Sequence, residues 1–404
     1  MLPQILIIES LTLDFQSTKT IFEKLYSYQG RRWVVHTFQV ENHHEENRNV
    51  QENKDSQHLE NHVDVGALHA FRVDLGASRA GRRRSRRETE STRRKLADYK
   101  PVLQSTLDRA WAIDPAKGVE TRKVADGVYV VTDGVWQSAF VVTEAGVVVL
   151  DAPETYAAKI PAEIAAVTDL PITKLIYTHA HKDHIGGSAA FAGVADLDII
   201  ALSGVAEFLA EKNDPNRMQP TMAFEDVLVL AEGGVRIELR EAHYHSDEGD
   251  VIVYVPTSRF LMAIDTVAPG YVPFMGFDIT SNFHEYLHVF DTLLEYEFDV
   301  FVGGHLTRPG NRADVELTRE FTRDVYETVK RVHGETDLMG VFVETAEQIG
   351  GFDNKYLLFD RFLDVVTERA TAEIEQRWMY RLAGVDVFAE DHVRTALIYV
   401  RWDD

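Results

Sequence analysis

The chain has 404 residues, enough for one large domain or two to three ordinary ones, and its 45% hydrophobic and 26% charged residues are typical of a soluble globular protein. It contains no cysteine, which excludes disulfides, thiolate-ligated zinc, iron–sulfur clusters and a cysteine nucleophile, so a transition-metal site must be built from His, Asp and Glu. The net charge is −23, and residues 1–100 hold only 14 of the 65 acidic but 17 of the 42 basic residues, so the body that follows is strongly acidic and disfavours nucleic acid as a partner.

Residues 1–110 differ in character from the rest of the chain. VENHHEENRNVQENKDSQHLENH is polar and aperiodic, and GRRRSRRETESTRRK is a run of charge, so neither buries enough apolar surface to offset its ordering entropy. We expect this region to be largely disordered, with the arginine run as a solvated basic tail; an RNA, membrane or targeting patch is the alternative. The N-terminus lacks a basic n-region, and no stretch approaches the roughly 18 apolar residues of a membrane span. A cytoplasmic protein without a membrane span is therefore expected.

A pattern of alternating strands and helices begins near residue 118. Residues 126–153 contain short β-rich runs separated by Asp-Gly and Ala-Gly turns, which predicts a strand meander. The later elements are predicted in chain order: a helix over 156–170, a strand over 174–179, a helix start over 183–194, a strand over 197–202, a helix over 205–213, strands over 226–245, 250–256 and 260–267, a helix over 284–298 and a strand over 299–305. This order indicates a layered α/β domain over residues 118–310.

The remaining residues, 311–404, are mostly helical in pattern, with amphipathic stretches over 313–332 and 367–385. We expect this helical C-terminal extension either to cap the active site or to form a homodimer interface. Sequence alone leaves both roles open.

The segment LIYTHAHKDHIGG, residues 175–187, is the strongest indication of chemistry. An apolar strand delivers His179 and His181 on one side of the backbone, and Asp183 and His184 lie in the turn that follows. Neutral imidazoles and carboxylate oxygens suit zinc, and also iron and manganese. The glycines at 186–187 allow a tight turn beneath these side chains. The spacing therefore predicts a metal site rather than a polar loop.

The pattern His-x-His-x-Asp-His-x-Gly-Gly over residues 179–187 resembles the signature of the metallo-β-lactamase fold superfamily. Other segments are similar to further elements of that superfamily, in order: VVVLDAP, EAHYHSDEGDVIVYVP, FLMAIDTV and VFVGGH. The resemblance covers roughly residues 118–310. It implies a four-layer αββα sandwich, with Asp151 bracing the ligand loop.

The resemblance also implies two metal ions. One is expected on His179, His181 and His245, and the other on Asp183, His184 and His305, with Asp265 bridging them. Asp183 is the candidate catalytic residue as well as a ligand. Two zinc ions per chain are expected, with iron or manganese as alternatives; paired metals roughly 3.5–4 Å apart make hydroxide available near neutral pH. The chain is then a glyoxalase II-like or β-lactamase-like hydrolase that uses this hydroxide to attack an ester, thioester, lactone or amide carbonyl of a small molecule.

The sequence departs from the pattern of the superfamily at three places. The histidine loop is one residue longer than usual, and His243 lies two residues before His245, so either is a candidate ligand; the following Ser and Gly favour His245. Ile264 precedes Asp265 where glycine is customary, and Leu306 replaces the glycine after the last ligand. These changes leave the bridging carboxylate and the product side of the pocket less well specified.

Other motifs and activities compete with this interpretation. HEYLH, residues 284–288, matches the zincin protease pattern, but an exposed helix face is its commoner explanation. Residues 268–283 form an aromatic-rich loop that is either an apolar wall for substrate or ordinary loop packing. The alternative activity is a mono-iron oxidoreductase of the same fold, similar to persulfide dioxygenases, and a nuclease is less favoured because the body is acidic.

Overall fold

The structure is a computed structural model and describes residues 95–306 and 308–402. The predicted disorder of residues 1–110 therefore lies mostly outside the described residues. Within residues 95–110 there are a 3₁₀ turn over Leu96–Asp98 and helix α1 over Gln104–Leu107. The Thr106 hydroxyl donates to the carbonyl of Gly270 at 3.2 Å, so this end of the region contacts the folded body.

Two β-sheets form the centre of the fold. In the first sheet the seven strands lie side by side in chain order; β1 to β4 are antiparallel and β4 to β7 are parallel. The second sheet has the order β12-β11-β10-β9-β8 and is antiparallel except for the parallel pair β11–β12. The strands are β1 Glu120–Ala125, β2 Val128–Thr132, β3 Gln137–Val142, β4 Val147–Leu150, β5 Ile172–Ile176, β6 Asp198–Leu202, β7 Met222–Phe224, β8 Val227–Glu232, β9 Val235–Ala242, β10 Asp250–Val255, β11 Phe260–Met262 and β12 Val300–Val302.

Helices connect the strands and follow the second sheet. They are α2 Ile160–Ala165, α3 Lys182–Ile185, α4 Ser203–Lys212, α5 Phe283–Glu295, α6 Arg312–Glu335, α7 Leu338–Ile349, α8 Lys355–Trp378 and α9 Val385–Trp402, with 3₁₀ turns over Ala157–Lys159, Ser188–Phe191 and Pro256–Ser258.

The strand meander and the alternation of strands and helices are confirmed, but two helix predictions were wrong in extent. The helix predicted over 156–170 contains a 3₁₀ turn and ends at Ala165, well before Pro171. The helix expected to start at residue 183 is the single turn α3, and it is followed by Gly186 and Gly187, two positions with no room for a side chain. A Cβ on Gly186 would lie 2.3 Å from the Lys182 carbonyl oxygen, and one on Gly187 would lie 2.4 Å from the Ala157 Cβ.

Side-chain alternation along β10 shows how the layers are stacked. Val251 and Val253 join a core shared with the first sheet, whereas Ile252, between them, joins a second core on the opposite face. The first core also contains residues of α2 and α4, and the second contains residues of α5, α6, α8 and α9. Since successive side chains of a strand point to opposite faces, the order is helices, sheet, sheet, helices. The fold is therefore the predicted four-layer αββα sandwich.

The predicted helical extension consists of α6 to α9. In α6 the buried residues recur every three or four positions, which presents one apolar face to the second core: Val315, Thr318, Phe321, Thr322, Val325, Val329 and Val332. Asn311 caps α6 through its side chain, which accepts hydrogen bonds from the amides of Ala313 and Asp314. None of the helices in the described ranges is long and apolar enough to cross a membrane.

Candidate metal centre

The seven predicted ligands lie together at one edge of the two sheets. The strands that lead to them end earlier than predicted, so no ligand lies in a strand: Asp183 and His184 belong to the single turn α3, and the other five lie in loops that follow strands. The side chains form two groups, within each of which the candidate ligand atoms lie within 4.8 Å of one another: His179, His181, His245 and Asp265 in the first, and Asp183, His184 and His305 in the second.

The Asp265 carboxylate lies between the two groups. Its Oδ2 is 3.3 Å from His179 Nε2 and 3.5 Å from His245 Nδ1, both in the first group. Its Oδ1 is 2.7 Å from His305 Nε2 and 3.3 Å from His184 Nε2, both in the second group. Asp265 is therefore placed as a bridging carboxylate would be, with Ile264 before it and its own backbone in the left-handed region at φ 61°.

The structure separates the two candidate histidines of the histidine loop. His245 is buried, and its ring centroid lies 4.8 Å from that of His181. The side chain of His243 is 53% exposed and contacts the Glu241 carboxylate at 3.1 Å. Only His245 is therefore in a position to join the first group.

Hydrogen bonds behind the ligands fix their orientation. The Asp151 carboxylate accepts from the Thr178 amide at 2.8 Å and from the Thr178 hydroxyl at 2.7 Å. The hydroxyl oxygen in turn lies 3.1 Å from His179 Nδ1. Because the hydroxyl hydrogen is directed to Asp151, the imidazole donates from Nδ1 and leaves the lone pair of Nε2 facing the cluster. Asp151 thus has the bracing position that the resemblance implies.

Two buried side chains that sequence reasoning missed hold other ligand loops. The Asp250 carboxylate accepts from the His245 amide at 2.9 Å. The Gln137 side-chain amide donates to the His305 carbonyl at 3.0 Å and to the Leu306 carbonyl at 2.7 Å. An acidic or amide side chain several residues from a ligand has no distinctive spacing, so the linear sequence carried no signal for either role.

Glycines allow the close approach of the last ligand loop to its neighbours. A Cβ on Gly303 would lie 1.9 Å from the Val267 carbonyl oxygen, and one on Gly304 would lie 3.0 Å from His184 Cε1. Leu306, which follows His305, has φ 66°. This backbone conformation is the one that glycine adopts without cost, which accounts physically for the glycine of the superfamily pattern at this position.

The cluster suits a cation chemically. His179 Nε2, His245 Nδ1 and Asp265 Oδ1 are buried and close to other ligand atoms, but none of them makes a hydrogen bond of normal geometry within the described part of the chain. Buried polar atoms are almost always paired, so several orphaned ligand atoms around one point indicate a bound group. Burial lowers the pKa of His179 to about 4, which keeps the imidazole neutral as metal ligation requires.

The carboxylate charge acts on the other histidines. Burial disfavours the charged form of His245, but the neighbouring Asp265 and Asp250 carboxylates outweigh it and raise its pKa to about 9. Burial by itself would raise the pKa of Asp265, but the nearby His184, His245 and His305 outweigh it and hold this pKa well below its usual range. Without metal, His245 is therefore protonated near neutral pH, and a cation that binds there must displace this proton.

The HEYLH segment lies apart from this centre. His284, Glu285 and His288 are exposed on α5, and His284 Nδ1 lies 2.7 Å from the Tyr399 hydroxyl. No group of potential ligands in residues 95–306 and 308–402 includes them. The exposed helix face, rather than a zincin site, explains the motif.

Comparisons with known proteins give the same family as the motifs. Residues 133–305 match the family model of the metallo-β-lactamase superfamily, which confirms the resemblance over that range. The chain is 30% identical over 206 residues to the 2,4-dinitroanisole O-demethylase subunit alpha of Nocardioides sp. (strain JS1661), covering 49% of this chain and 61% of the relative. It is 23% identical over 240 residues to the linear primary-alkylsulfatase of Pseudomonas sp. (strain ATCC 19151), covering 47% of this chain and 44% of the relative. The chain thus spans about half the length of the curated relatives it matches.

Solved structures also resemble part of the chain. A metallo-β-lactamase from Pontibacter korlensis is 18% identical with a TM-score of 0.42, over 50% of this chain and 97% of that one. The metallo-β-lactamase of Hirschia baltica is 17% identical with a TM-score of 0.42, over 50% of this chain and 96% of that one.

Proposed function

We propose that the chain, whose residues 133–305 match the family model of the metallo-β-lactamase superfamily, is a metal-dependent hydrolase. Its two ligand groups would hold two divalent ions, with zinc as the first candidate. The observation that carries this proposal is the Asp265 carboxylate, which presents one oxygen to each group. A mono-iron oxidoreductase needs only one group. The second group of Asp183, His184 and His305 is complete, which favours the binuclear hydrolase.

The exposure of the ligands indicates the side from which substrate approaches. His179, His184, His245 and Asp265 are buried, whereas the Asp183 side chain is 39% exposed and the His305 side chain 25% exposed. The Trp136 indole donates to Asp183 Oδ2 at 3.4 Å and is itself partly buried beside His305. Substrate therefore meets Asp183, His305 and Trp136 first. Trp136 had no motif that would have identified it from the sequence.

Roles for the side chains of the chain follow from these positions. Divalent metal bound here would supply Lewis-acid polarisation and lower the pKa of water. Asp183, held by His184 at 3.3 Å and by the Trp136 indole, presents its carboxylate at the open side, where it accepts a hydrogen bond from water or from a substrate hydroxyl or amide. The buried Asp151, Thr178 and Asp250 keep the ligands fixed, so that little reorganisation is needed when substrate binds.

We propose a small-molecule ester, thioester, lactone or amide as the substrate. The two curated relatives, by their names, act on an aryl methyl ether and on alkyl sulfates, so alkyl sulfate esters are a second candidate class. The segment 268–283 favours a substrate with an apolar part, because Phe274, Met275 and Ile279 are exposed there. A cytoplasmic location, the absence of nucleic acid partners and a homodimer through the helical extension remain predictions.

Metal content by inductively coupled plasma mass spectrometry tests the proposal. We expect about two metal ions per wild-type chain. His181→Ala should lose metal, whereas the matched control His243→Ala, an exposed histidine outside both groups, should retain it. Metal retained in His181→Ala would overturn the site. A single iron per chain would support the oxidoreductase instead.

Activity assays then identify the substrate class. The metal-loaded protein is tested against p-nitrophenyl esters, a thioester, a lactone, a β-lactam and a medium-chain alkyl sulfate, with His181→Ala as the inactive reference. Turnover that is lost in His181→Ala but kept in His243→Ala assigns the class. Turnover that persists in His181→Ala contradicts the proposed centre.

A further inference from the structure

The segment after Asp265 contains an unusual backbone conformation. Gly276, Phe277, Asp278 and Ile279 have φ of 60°, 61°, 57° and 53°, so that four consecutive residues form a left-handed turn. Three of them carry a Cβ, and Ile279 is β-branched, the type of side chain least suited to this region. Such strain persists only where the surrounding structure imposes it, and it concentrates at functional sites.

The helix α9 of the extension imposes this conformation. His392 is completely buried on α9, and its Nδ1 accepts a hydrogen bond from the Phe277 amide at 3.1 Å. The His392 and Phe277 rings lie with their centroids 4.4 Å apart. Burial lowers the pKa of His392 to about 3, so the imidazole stays neutral and keeps its acceptor over the physiological pH range.

Further contacts attach the same segment to the residues around α9. The Val272 amide donates to the Ala383 carbonyl at 3.0 Å, and the Ala383 amide donates to the Gly270 carbonyl at 3.0 Å. The Phe274 ring packs against Phe388 of α9 with centroids 5.0 Å apart. The extension therefore holds the segment through both backbone and side chains.

The other end of the turn reaches the metal centre. The Ser281 amide and hydroxyl donate to the carbonyl of the ligand His245 at 3.0 and 3.1 Å. The Thr280 hydroxyl donates to the Tyr244 carbonyl at 2.6 Å. Asp278, between these contacts and Phe277, is buried within electrostatic reach of Asp265, His305 and His245. A continuous path of contacts thus runs from His392 to a ligand loop.

We propose that His392 is a positioning residue, which holds the left-handed turn 276–279 and through it the His245 loop, so that the helical extension is a working part of the metal centre. The hydrogen bond from the Phe277 amide joins the His392 side chain of α9 directly to this turn. A merely structural role, in which His392 only fills the core, predicts that any loss of packing on α9 has the same effect.

Three variants separate the two roles. His392→Asn keeps an acceptor oxygen at the position of Nδ1, whereas His392→Phe keeps an aromatic ring and removes the acceptor. Val393→Ala is the matched control, because Val393 is equally buried on the same helix and its truncation leaves a cavity without removing a hydrogen bond to the turn. The proposal requires His392→Asn to rescue what His392→Phe loses.

Hydrogen exchange of residues 274–281, followed by mass spectrometry, is the first readout. We expect at least about tenfold faster exchange in His392→Phe, and wild-type exchange in His392→Asn and Val393→Ala, once each is corrected for global stability. Unchanged exchange in His392→Phe, or an equal loss of protection in Val393→Ala, would overturn the proposal. If His392→Phe does not fold, the wild-type protein still decides: residues 274–281 must open together with 388–396 as denaturant is raised, and independent opening would refute it.

Binding of cobalt(II), followed by its visible absorption, is the second readout. We expect affinity to fall about tenfold in His392→Phe and to stay near the wild-type value in His392→Asn, as is typical when a residue that orients a ligand is lost. This part rests on the proposed function. If the wild-type chain binds no cobalt, the metal centre fails while the exchange experiment still tests the role of His392.

Discussion

Replacement of Asp265 by asparagine tests the arrangement of the metal centre most directly. The substitution keeps the volume of the side chain and removes the charge from both carboxylate oxygens. One of these oxygens lies 3.3 and 3.5 Å from nitrogens of the first group, and the other lies 2.7 and 3.3 Å from nitrogens of the second. We therefore expect Asp265→Asn to weaken the binding of both metal ions.

The magnitude follows from the number of ions that share the ligand. Loss of a residue that only orients a ligand costs about 10–100-fold in affinity, so a direct ligand should cost at least about tenfold for each ion, or about a hundredfold in the product of the two dissociation constants. Asp183→Asn is the matched comparison, because Asp183 belongs to the second group alone. Asp183→Asn should weaken the binding of one ion and leave the affinity for the other near its wild-type value.

Competition with a chromogenic chelator measures both dissociation constants, and thermal unfolding of the metal-free variants checks that the fold is retained. If Asp265→Asn binds both ions as tightly as the wild type, Asp265 is not a ligand. If Asp265→Asn weakens the binding of one ion only, as is expected for Asp183→Asn, then Asp265 does not bridge the two ions even though the metal centre exists.

Three further predictions concern stability and assembly. Ile279→Asn should raise the free energy of unfolding by about 1 kcal/mol, measured by denaturant titration, because Asn tolerates the left-handed conformation and Ile279 is 56% exposed; a loss of stability would contradict the strain. Burial raises the pKa of Asp278 from its usual value of 3.8 to about 6. Between these two values the unfolded carboxyl releases its proton while the folded one keeps it, so the free energy of unfolding falls across this range and stays lower at higher pH. Metal-free Asp278→Asn should thus gain up to about 3 kcal/mol over wild type near pH 8 and almost nothing near pH 4, by thermal unfolding at each pH; an equal gain at both would refute it. Met339 and Val343 of α7 are 59% and 43% exposed, and if the homodimer forms there, Val343→Asp should convert it to a monomer in light scattering, whereas a monomeric wild type would make the homodimer prediction wrong.

The metal centre was largely predictable because most of its ligands are either close together in the sequence or directly follow a predicted strand. Four of the seven ligands lie within six residues after one apolar strand, and each of the others follows another strand. Strand ends at one edge of a layered fold meet in space, so the order of the elements was sufficient to bring His245, Asp265 and His305 to the same place. The choice between His243 and His245 needed the structure, since it depends on which side of the loop is buried.

The left-handed turn was not predictable for the opposite reason. Its sequence, Gly-Phe-Asp-Ile, has one residue that favours positive φ, so local propensity gives no indication of four. The partner that imposes the conformation, His392, lies 115 residues away on another element. Similarly, the closeness of Lys182 and Ala157 to Gly186 and Gly187, which leaves no room for side chains there, cannot be read from the spacing of the sequence.

The ligand loops and the segment 268–283 are held in place by different parts of the fold. The ligand loops are fixed by the sheets and by buried partners such as Asp151 and Gln137, which leaves little freedom to change them without losing the cluster. The segment 268–283 is instead fixed by α9, and the side chains of Phe274, Met275 and Ile279 in it are exposed. Changes on α9 can reposition this segment and, through the hydrogen bonds of Ser281 to the His245 carbonyl, also reach one ligand loop, while the other ligand loops keep their own supports. If the proposals hold, loss of the His392 acceptor lowers metal affinity through the His245 loop. Changes on α9 that leave this acceptor in place act on the segment 268–283, and they should shift KM among substrates more than they shift kcat.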